Sequence, residues 1–281
     1  MNACLFTEKD RIAQGNTAEI YPFGDGKIIK LFRDGIAPDA VRREYDYTCA
    51  AARKLPEVPV AYDLVEYGGR CGIIFRKVAG DDMMRLMLAH PLKLGSFIKD
   101  FAAYHAKINT PVPDTMRTVT EKLRDEIGWE KELSDHEKRL VTDHLSRLPE
   151  GACLCHGDFH PGNVMINGRE VFFLDWMTAC RGDPCADAAR TYLLLRYGEP
   201  MHIPRLQLLI VKTLLRPGSR IYLHEYCRLT GLPKNRVTQW MLPVAAARLS
   251  EWLTDSERKK LAGLVRRRLR VKAGNERKRS E

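Results

Sequence analysis

Cys155-His156-Gly157-Asp158-Phe159-His160-Pro161-Gly162-Asn163-Val164-Met165 is the densest polar stretch of the chain. Pro161 and Gly162 prevent a helix here and let the backbone fold back, so Asp158 and Asn163 stand five positions apart on one loop. Seventeen residues after Asp158, the apolar run Val171-Phe172-Phe173-Leu174 reads as a short buried strand that delivers Asp175 and Trp176. Carboxylate and amide oxygens at loop and strand ends are hard donors. They suit Mg²⁺, which takes one or two protein carboxylates and fills its shell with phosphate oxygens. The other Asp of such a loop is left to accept a proton.

Upstream of this loop the pattern is strand-rich. Ile28-Ile29-Lys30-Leu31-Phe32 is β-branched and aromatic and follows the turn Phe23-Gly24-Asp25-Gly26. Asp39 to Lys54 lacks Gly and Pro and ends before Leu55-Pro56, which predicts a helix. Val58 to Glu66 and Cys71 to Phe75 read as strands around the Gly68-Gly69 turn, and Arg76 to Asp82 as a connection. From Met83 onward the periodicity is helical. Leu94, Phe97, Ile98, Phe101, Ala102, His105 and Ile108 form one stripe, and further helices are expected over 119–132, 137–148, 187–197, 205–215, 221–229 and 234–270.

The spacing His-x-Asp-x4-Asn, with a later Asp at a strand end, is that of the kinase catalytic loop; the residues here are His156, Asp158, Asn163 and Asp175. A lone Asp-x4-Asn is most often a structural turn. Combined with the second Asp and a strand-rich segment carrying its own lysine, it is not explained that way. His-Gly-Asp-Phe-His-Pro-Gly-Asn-Val followed by Leu-Asp-Trp resembles the aminoglycoside phosphotransferase and choline-kinase-like family, distant relatives of protein kinases, over roughly residues 10–260. Gly157 stands where protein kinases have Arg, and Asp175-Trp176-Met177 where they have Asp-Phe-Gly, which favours the small-molecule branch.

The resemblance implies an α+β, bilobal protein-kinase-like fold, with a small strand-rich N-lobe and a larger helical C-lobe. It implies a nucleotide-binding lobe over 1–79, a catalytic and substrate lobe over 80–270, and a basic flexible tail over 271–281. The implied activity moves the γ-phosphoryl group of ATP or GTP, with Mg²⁺, to a hydroxyl of a small molecule such as an aminoglycoside, an amino alcohol or a sugar-like acceptor. Asp158 would be the base, and Asn163 and Asp175 the metal ligands. Lys30 would reach the phosphates, with Glu44 as its candidate partner and Asp46 close by in sequence. Gly15-Asn16-Thr17 would form the turn over the phosphates, although no Gly-x-Gly-x-x-Gly is present. Phe75 would back the nucleotide pocket, and the backbone of Arg76 and Val78 would meet the base; many relatives have Glu where Arg76 stands. His156 and His160 read as supporting residues, His160 through its ring nitrogens. Asp183, followed by Pro184, reads as a helix N-cap with Asp187 in the first turn.

Composition sets the outer limits. With 44% hydrophobic and 29% charged residues, the 281-residue chain is neither collagen-like nor disordered throughout. Its longest aliphatic stretch, around 206–215, is too short and polar for a membrane span. Charged residues near the start argue against a signal peptide, so a cytoplasmic protein with no membrane partner is expected. Of the net charge of +10, residues 258–281 carry +9, leaving +1 for the remainder. That makes a nearly neutral globule with a basic end: a solvated helix end, or a polyanion-binding tail. Cys153-Leu154-Cys155 with Cys180 and Cys185 could be imagined as a zinc site, but the cysteines read better as small core residues.

The acidic positions Glu121, Asp125, Glu126, Glu130 and Glu132 alternate with Lys122, Arg124 and Lys131, a solvated helix face rather than the carboxylate lining of a cationic acceptor. Met83, Met84 and Met87 read as core, and Trp240 and Trp252 as candidate walls of the acceptor site. The rival readings are a kinase of a macromolecular or tRNA-associated partner, with nucleic acid held by the basic tail, and a non-catalytic nucleotide-binding scaffold.

Overall fold

The computed structural model describes residues 6–112, 114–199 and 205–280, with side chains omitted for 205–208 and 272–280. Cys4 and Glu281 lie outside the described residues, as do the side chains of the basic segment beyond Val271. The chain divides into two compact units, residues 1–85 with 161–179, and residues 86–160 with 180–281. The sequence sets a boundary at 79/80 with 161–179 in the second lobe; by internal contacts that segment groups with the first unit.

The first unit is built on an antiparallel sheet of β1 (Ala13–Gln14), β2 (Ala18–Pro22), β3 (Lys27–Phe32), β4 (Ala61–Tyr67) and β5 (Arg70–Arg76), ordered β1-β2-β3-β5-β4. Helix α1 (Pro38–Ala52) starts with Pro in its first turn and buries Val41, Glu44, Thr48 and Ala51. Strand alternation divides β3 between the two faces of the sheet. Ile29 and Leu31 pack with Tyr21 on one face. Phe32 joins Ala18, Val41, Ala61 and Ile73 on the other, under α1. Lys30 therefore faces α1. A second small sheet pairs β6 (Asp81–Asp82) with β8 (Val164–Asn167), and β8 with β9 (Glu170–Phe173). It is tied in by the Phe173 N–H donated to Glu57 O at 2.9 Å and by Met177, which packs on the Phe32 cluster.

The second unit is helical: α3 (Leu94–Ile108), α4 (Val119–Trp129), α5 (Asp135–Leu145), α6 (Pro184–Tyr197), α7 (Arg205–Thr230), α8 (Lys234–Ala247) and α9 (Asp255–Ser280), with α2 (Met83–Ala89) crossing the division between Arg85 and Leu86. Capping boxes start α4 (Thr118 with Glu121) and α5 (Ser134 with Glu137). The short strands β7 (Cys153–Cys155) and β10 (Cys180–Gly182) pair antiparallel and set Cys155 opposite Cys180.

Two sequence expectations are corrected here. The helices expected over 205–215 and 221–229 are one, because α7 continues through Pro217. The helix packs there against α3, with Gly218 close to Ile98. The single helix expected over 234–270 is two; a turn at Arg248–Ser250 separates α8 from α9. The backbone of α9 is helical as far as Ser280. Several α9 cations are engaged within the chain: Arg258 donates to Leu249 O, Lys260 meets Glu199, Arg266 meets Glu137, and Arg268 donates to Thr238 O.

Candidate active site

In the first unit, Lys30 lies between two carboxylates, with Nζ 2.6 Å from Glu44 Oε1 and 3.0 Å from Asp175 Oδ1. Burial would lower the Lys30 pKa, but Asp175 and Glu44 outweigh it and hold the ammonium charged. Glu44 is fully buried, and burial pushes its carboxyl up to about 7 against the opposing pull of Lys30. Asp46, the neighbouring alternative, is on the exposed face of α1.

Asp175 follows directly from the β8–β9 hairpin. Val164 and Phe173 are register partners, and Leu174 N–H donates to Asn163 O at 2.9 Å. Asn163 and Asp175 are thus brought to the same end of one hairpin. Asp175 is the one described non-glycine residue with positive φ, 65°, a conformation that Asp tolerates better than most and that clusters at functional sites. One carboxylate and one amide oxygen make a hard donor pair that fits Mg²⁺ with phosphate and water completing the shell. Among the described residues no three His, Cys, Asp or Glu side chains form an all-protein cage for a metal, zinc included.

Gly15-Asn16-Thr17 forms the tip of the β1–β2 hairpin, closed by Gly15 N–H to Ala18 O at 2.8 Å. Phe75 is half-buried against the Phe32 cluster. Arg76 N–H is donated to Val60 O at 2.9 Å, and its guanidinium lies over the Phe172 ring. Val78 lies in the connection between β5 and β6.

In the second unit, α6 fixes four consecutive loop residues. Asp187 accepts the His156 N–H (2.7 Å) and the Gly157 N–H (2.9 Å), Arg190 Nη2 reaches Asp158 Oδ1 (3.2 Å), and Thr191 Oγ1 donates to Phe159 O (2.9 Å). The Phe159 ring is stacked on Phe101 and His105, each with centroids 4.6 Å away. His156 is buried, and its Nδ1 accepts the Asp158 N–H at 3.3 Å. His160 Nε2 is 3.6 Å from Asp158 Oδ2.

Asp183 caps α6 by accepting Cys185 N–H, and also takes Trp240 Nε1–H at 3.1 Å and the Arg236 guanidinium. Trp240, expected as a wall of the acceptor site, is therefore a fully buried core residue, because its indole N–H finds a partner inside. Trp252 is exposed. The acidic stretch of α4 is largely engaged: Glu121 caps the helix, Asp125 pairs with Arg117, Glu126 with Lys122 and Glu130 with Lys138.

Sequence reasoning treated Asp187 as a helix-start residue and His105 as part of an apolar stripe, and did not single out Arg190. Asp187 and Arg190 are three apart on a helix that opens directly after the loop's partner strand. That spacing puts both on one face and was the available signal.

A model of the phosphotransferase enzyme family, APH, matches residues 10–207. No curated protein matches the chain. Among solved structures, a thermostable mutant of aminoglycoside phosphotransferase APH(4)-Ia, in ternary complex with ADP and hygromycin B, is similar at TM-score 0.58 and 17% identity, covering 92% of each chain. APH(3'')-Id from Streptomyces rimosus is similar at TM-score 0.52 and 16% identity, over 82% of this chain and 89% of that one. Choline kinase from Cryptosporidium parvum is similar at TM-score 0.52 and 8% identity, over 98% and 92%. These likenesses share the protein-kinase-like fold, with its strand-rich first part and helical second part. From the extent of the family match, the chain belongs to the phosphotransferase enzyme family.

Proposed function

We propose that this protein transfers the γ-phosphoryl group of ATP or GTP, with Mg²⁺, to a hydroxyl of a small molecule. The observation that carries the reading is Lys30, a buried cation held between Glu44 and the hairpin carboxylate Asp175. An ammonium fixed this way, one strand from the Gly15–Thr17 turn, supports a role in gripping the phosphates of a nucleotide, with Glu44 setting its direction. Phe75 would back the base. Because the Arg76 N–H is already donated to Val60 O, Arg76 would meet the base through its carbonyl, and Val78 through its own backbone.

Asn163 and Asp175 would hold Mg²⁺, which when bound neutralises charge on the phosphates. Asp158 would orient the acceptor hydroxyl and take its proton, while the α6 contacts keep its loop in place. Positioning and electrostatics supply most of the acceleration in this reaction class, and a rigidly tethered loop suits that need. The acceptor could be an aminoglycoside, an amino alcohol or a sugar-like alcohol. The engaged α4 carboxylates favour no strongly cationic acceptor on that face.

The test is Asp158→Asn. Hydrolysis of Mg-ATP and Mg-GTP, with water as acceptor, should be lost while both nucleotides still raise the melting temperature. Unchanged hydrolysis would remove Asp158 from the chemistry. A screen of alcohols and amino sugars that stabilise only the nucleotide-bound protein would then identify the acceptor.

A further inference from the structure

We propose that Arg190 is a positioning residue that aims the Asp158 carboxylate, and that Glu251 holds Arg190 to that task; this rests on the reading of Asp158 as the base. Arg190 is buried on α6, and its guanidinium forks between two acids. Nη2 is 3.2 Å from Asp158 Oδ1, and Nη1 is 2.6 Å from Glu251 Oε1. Glu251 belongs to the turn between α8 and α9, sixty-one residues further along the chain. It is itself held: Arg248 Nε meets its Oε2 at 3.2 Å, Arg248 Nη2 reaches Glu257 Oε1 at 2.5 Å, and Glu257 Oε2 accepts the Glu199 N–H at 3.0 Å. A line of alternating charges thus runs from the start of α9 to the loop carboxylate.

Arginine suits this position because its planar fork fixes two acceptors at once, whereas lysine would present a single point charge. Among the neighbouring groups, His160 belongs to Asp158's own loop. Glu251 and Asp158 act most strongly on Arg190, with Glu126 of α4 behind them, and Arg190, Arg248 and Lys122 act on Glu251. Arg190 and Glu251 are oppositely charged and paired, so Glu251 holds the guanidinium while its other nitrogen meets Asp158.

The test reads Mg-ATP and Mg-GTP hydrolysis in the full chain. Arg190→Ala should lower kcat roughly 10- to 100-fold, the scale on which small misplacements act, with nucleotide affinity within about two-fold. Millimolar guanidinium should restore part of that rate, and none in Asp158→Asn. Arg190→Lys should retain an intermediate rate, and Glu251→Gln should lose rate without any change at Asp158. The latter two also serve if Arg190→Ala does not fold. Folded Arg190 variants with kcat within about two-fold of the parent, or a loss that follows the folded fraction and ignores guanidinium, would overturn the inference. Full activity in Asp158→Asn would instead sink the reading beneath it.

Discussion

Asp187 and His105 are joined inside the helical unit, with His105 Nε2 2.9 Å from Asp187 Oδ2 and neither side chain exposed. The same Oδ2 accepts the His156 N–H, and Oδ1 accepts the Gly157 N–H. His105 Nδ1 is in turn 2.6 Å from the Tyr222 hydroxyl. A buried carboxylate is tolerated only when its oxygens are bonded. Here its bonds run to α3 on one side and to the backbone of the polar loop on the other.

Asp187→Asn should therefore be costly in two ways. The amide keeps the volume but turns an N–H₂ toward groups that donate, so the variant should lose about 2–4 kcal/mol of stability. The loop should also lose its backbone tether, with hydrolysis falling by at least about ten-fold in the fraction that remains folded. Denaturant melts measure the first loss and single-turnover rates the second. A variant as stable as the parent would show that the tether is ornamental.

Acid should expose the same network. Burial alone would raise Asp187, but the His105 and His156 rings and the Gly157 N–H hold it down to about 2. Glu251 is held at about 2 by Arg190 and Arg248 against its burial. Burial would raise Glu199, but hydrogen bonds from Lys212, Lys260, Thr254 and Ser256 hold it at about 2. Each folded value lies below the unfolded one, so the stability these groups contribute is complete above about pH 4.5 and is lost as pH falls toward 2. For Asp187 this is about 2 kcal/mol. The melting temperature should be level near neutrality and drop steeply below pH 4. Asp187→Asn and Glu199→Gln should start lower and drop less; an equal slope in all three would refute the assignment.

What the sequence disclosed was local. Asp158, Asn163 and Asp175 stand out because a loop and one strand carry them, and Lys30 because of its apolar flanks and the motif downstream. Glu44 was less legible: the sequence leaves the phase of α1 open between Glu44 and Asp46, and only the buried stripe of Val41, Glu44, Thr48 and Ala51 separates them. The Arg190–Asp158–Glu251 link joins residues far apart in sequence, and no short-range pattern encodes such a pairing. The continuation of α7 through Pro217 was hidden for a related reason: proline is a local stop signal, and the packing of Gly218 on Ile98 that overrides it is long-range.

Lys30→Met should remove nucleotide-induced stabilisation. It should also destabilise the protein by about 3–5 kcal/mol, because Glu44 would be left as an unpaired carboxylate in the core. Adding Glu44→Met should recover much of that stability, since a buried pair replaced by apolar side chains is often neutral, while nucleotide binding stays lost. Thermal shift with Mg-ATP and Mg-GTP, beside denaturant melts of the three variants, separates the two effects. If the double variant bound nucleotide like the parent, Lys30 would have no part in holding phosphates.

Gly80 offers a test of the connection between β5 and β6. Its φ of 128° is closed to most side chains, and a Cβ there would lie 2.3 Å from Ile166 O and 2.8 Å from the Ile166 carbonyl carbon. Ile166 is the register partner of Asp81 in the small sheet, so the clash cannot be relieved without moving β8, the strand that follows Asn163. Gly80→Ala should cost at least about 2 kcal/mol and weaken Mg-dependent nucleotide binding, because the hairpin that carries Asn163 and Asp175 would shift with its strand. Gly26, also at positive φ but with open space around its missing Cβ, is the control. Gly26→Ala should bear only the backbone strain, about 1 kcal/mol, and leave nucleotide binding intact. Equal losses at the two positions, read by denaturant melts and nucleotide titrations, would mean that close packing against β8 is not what demands glycine at position 80.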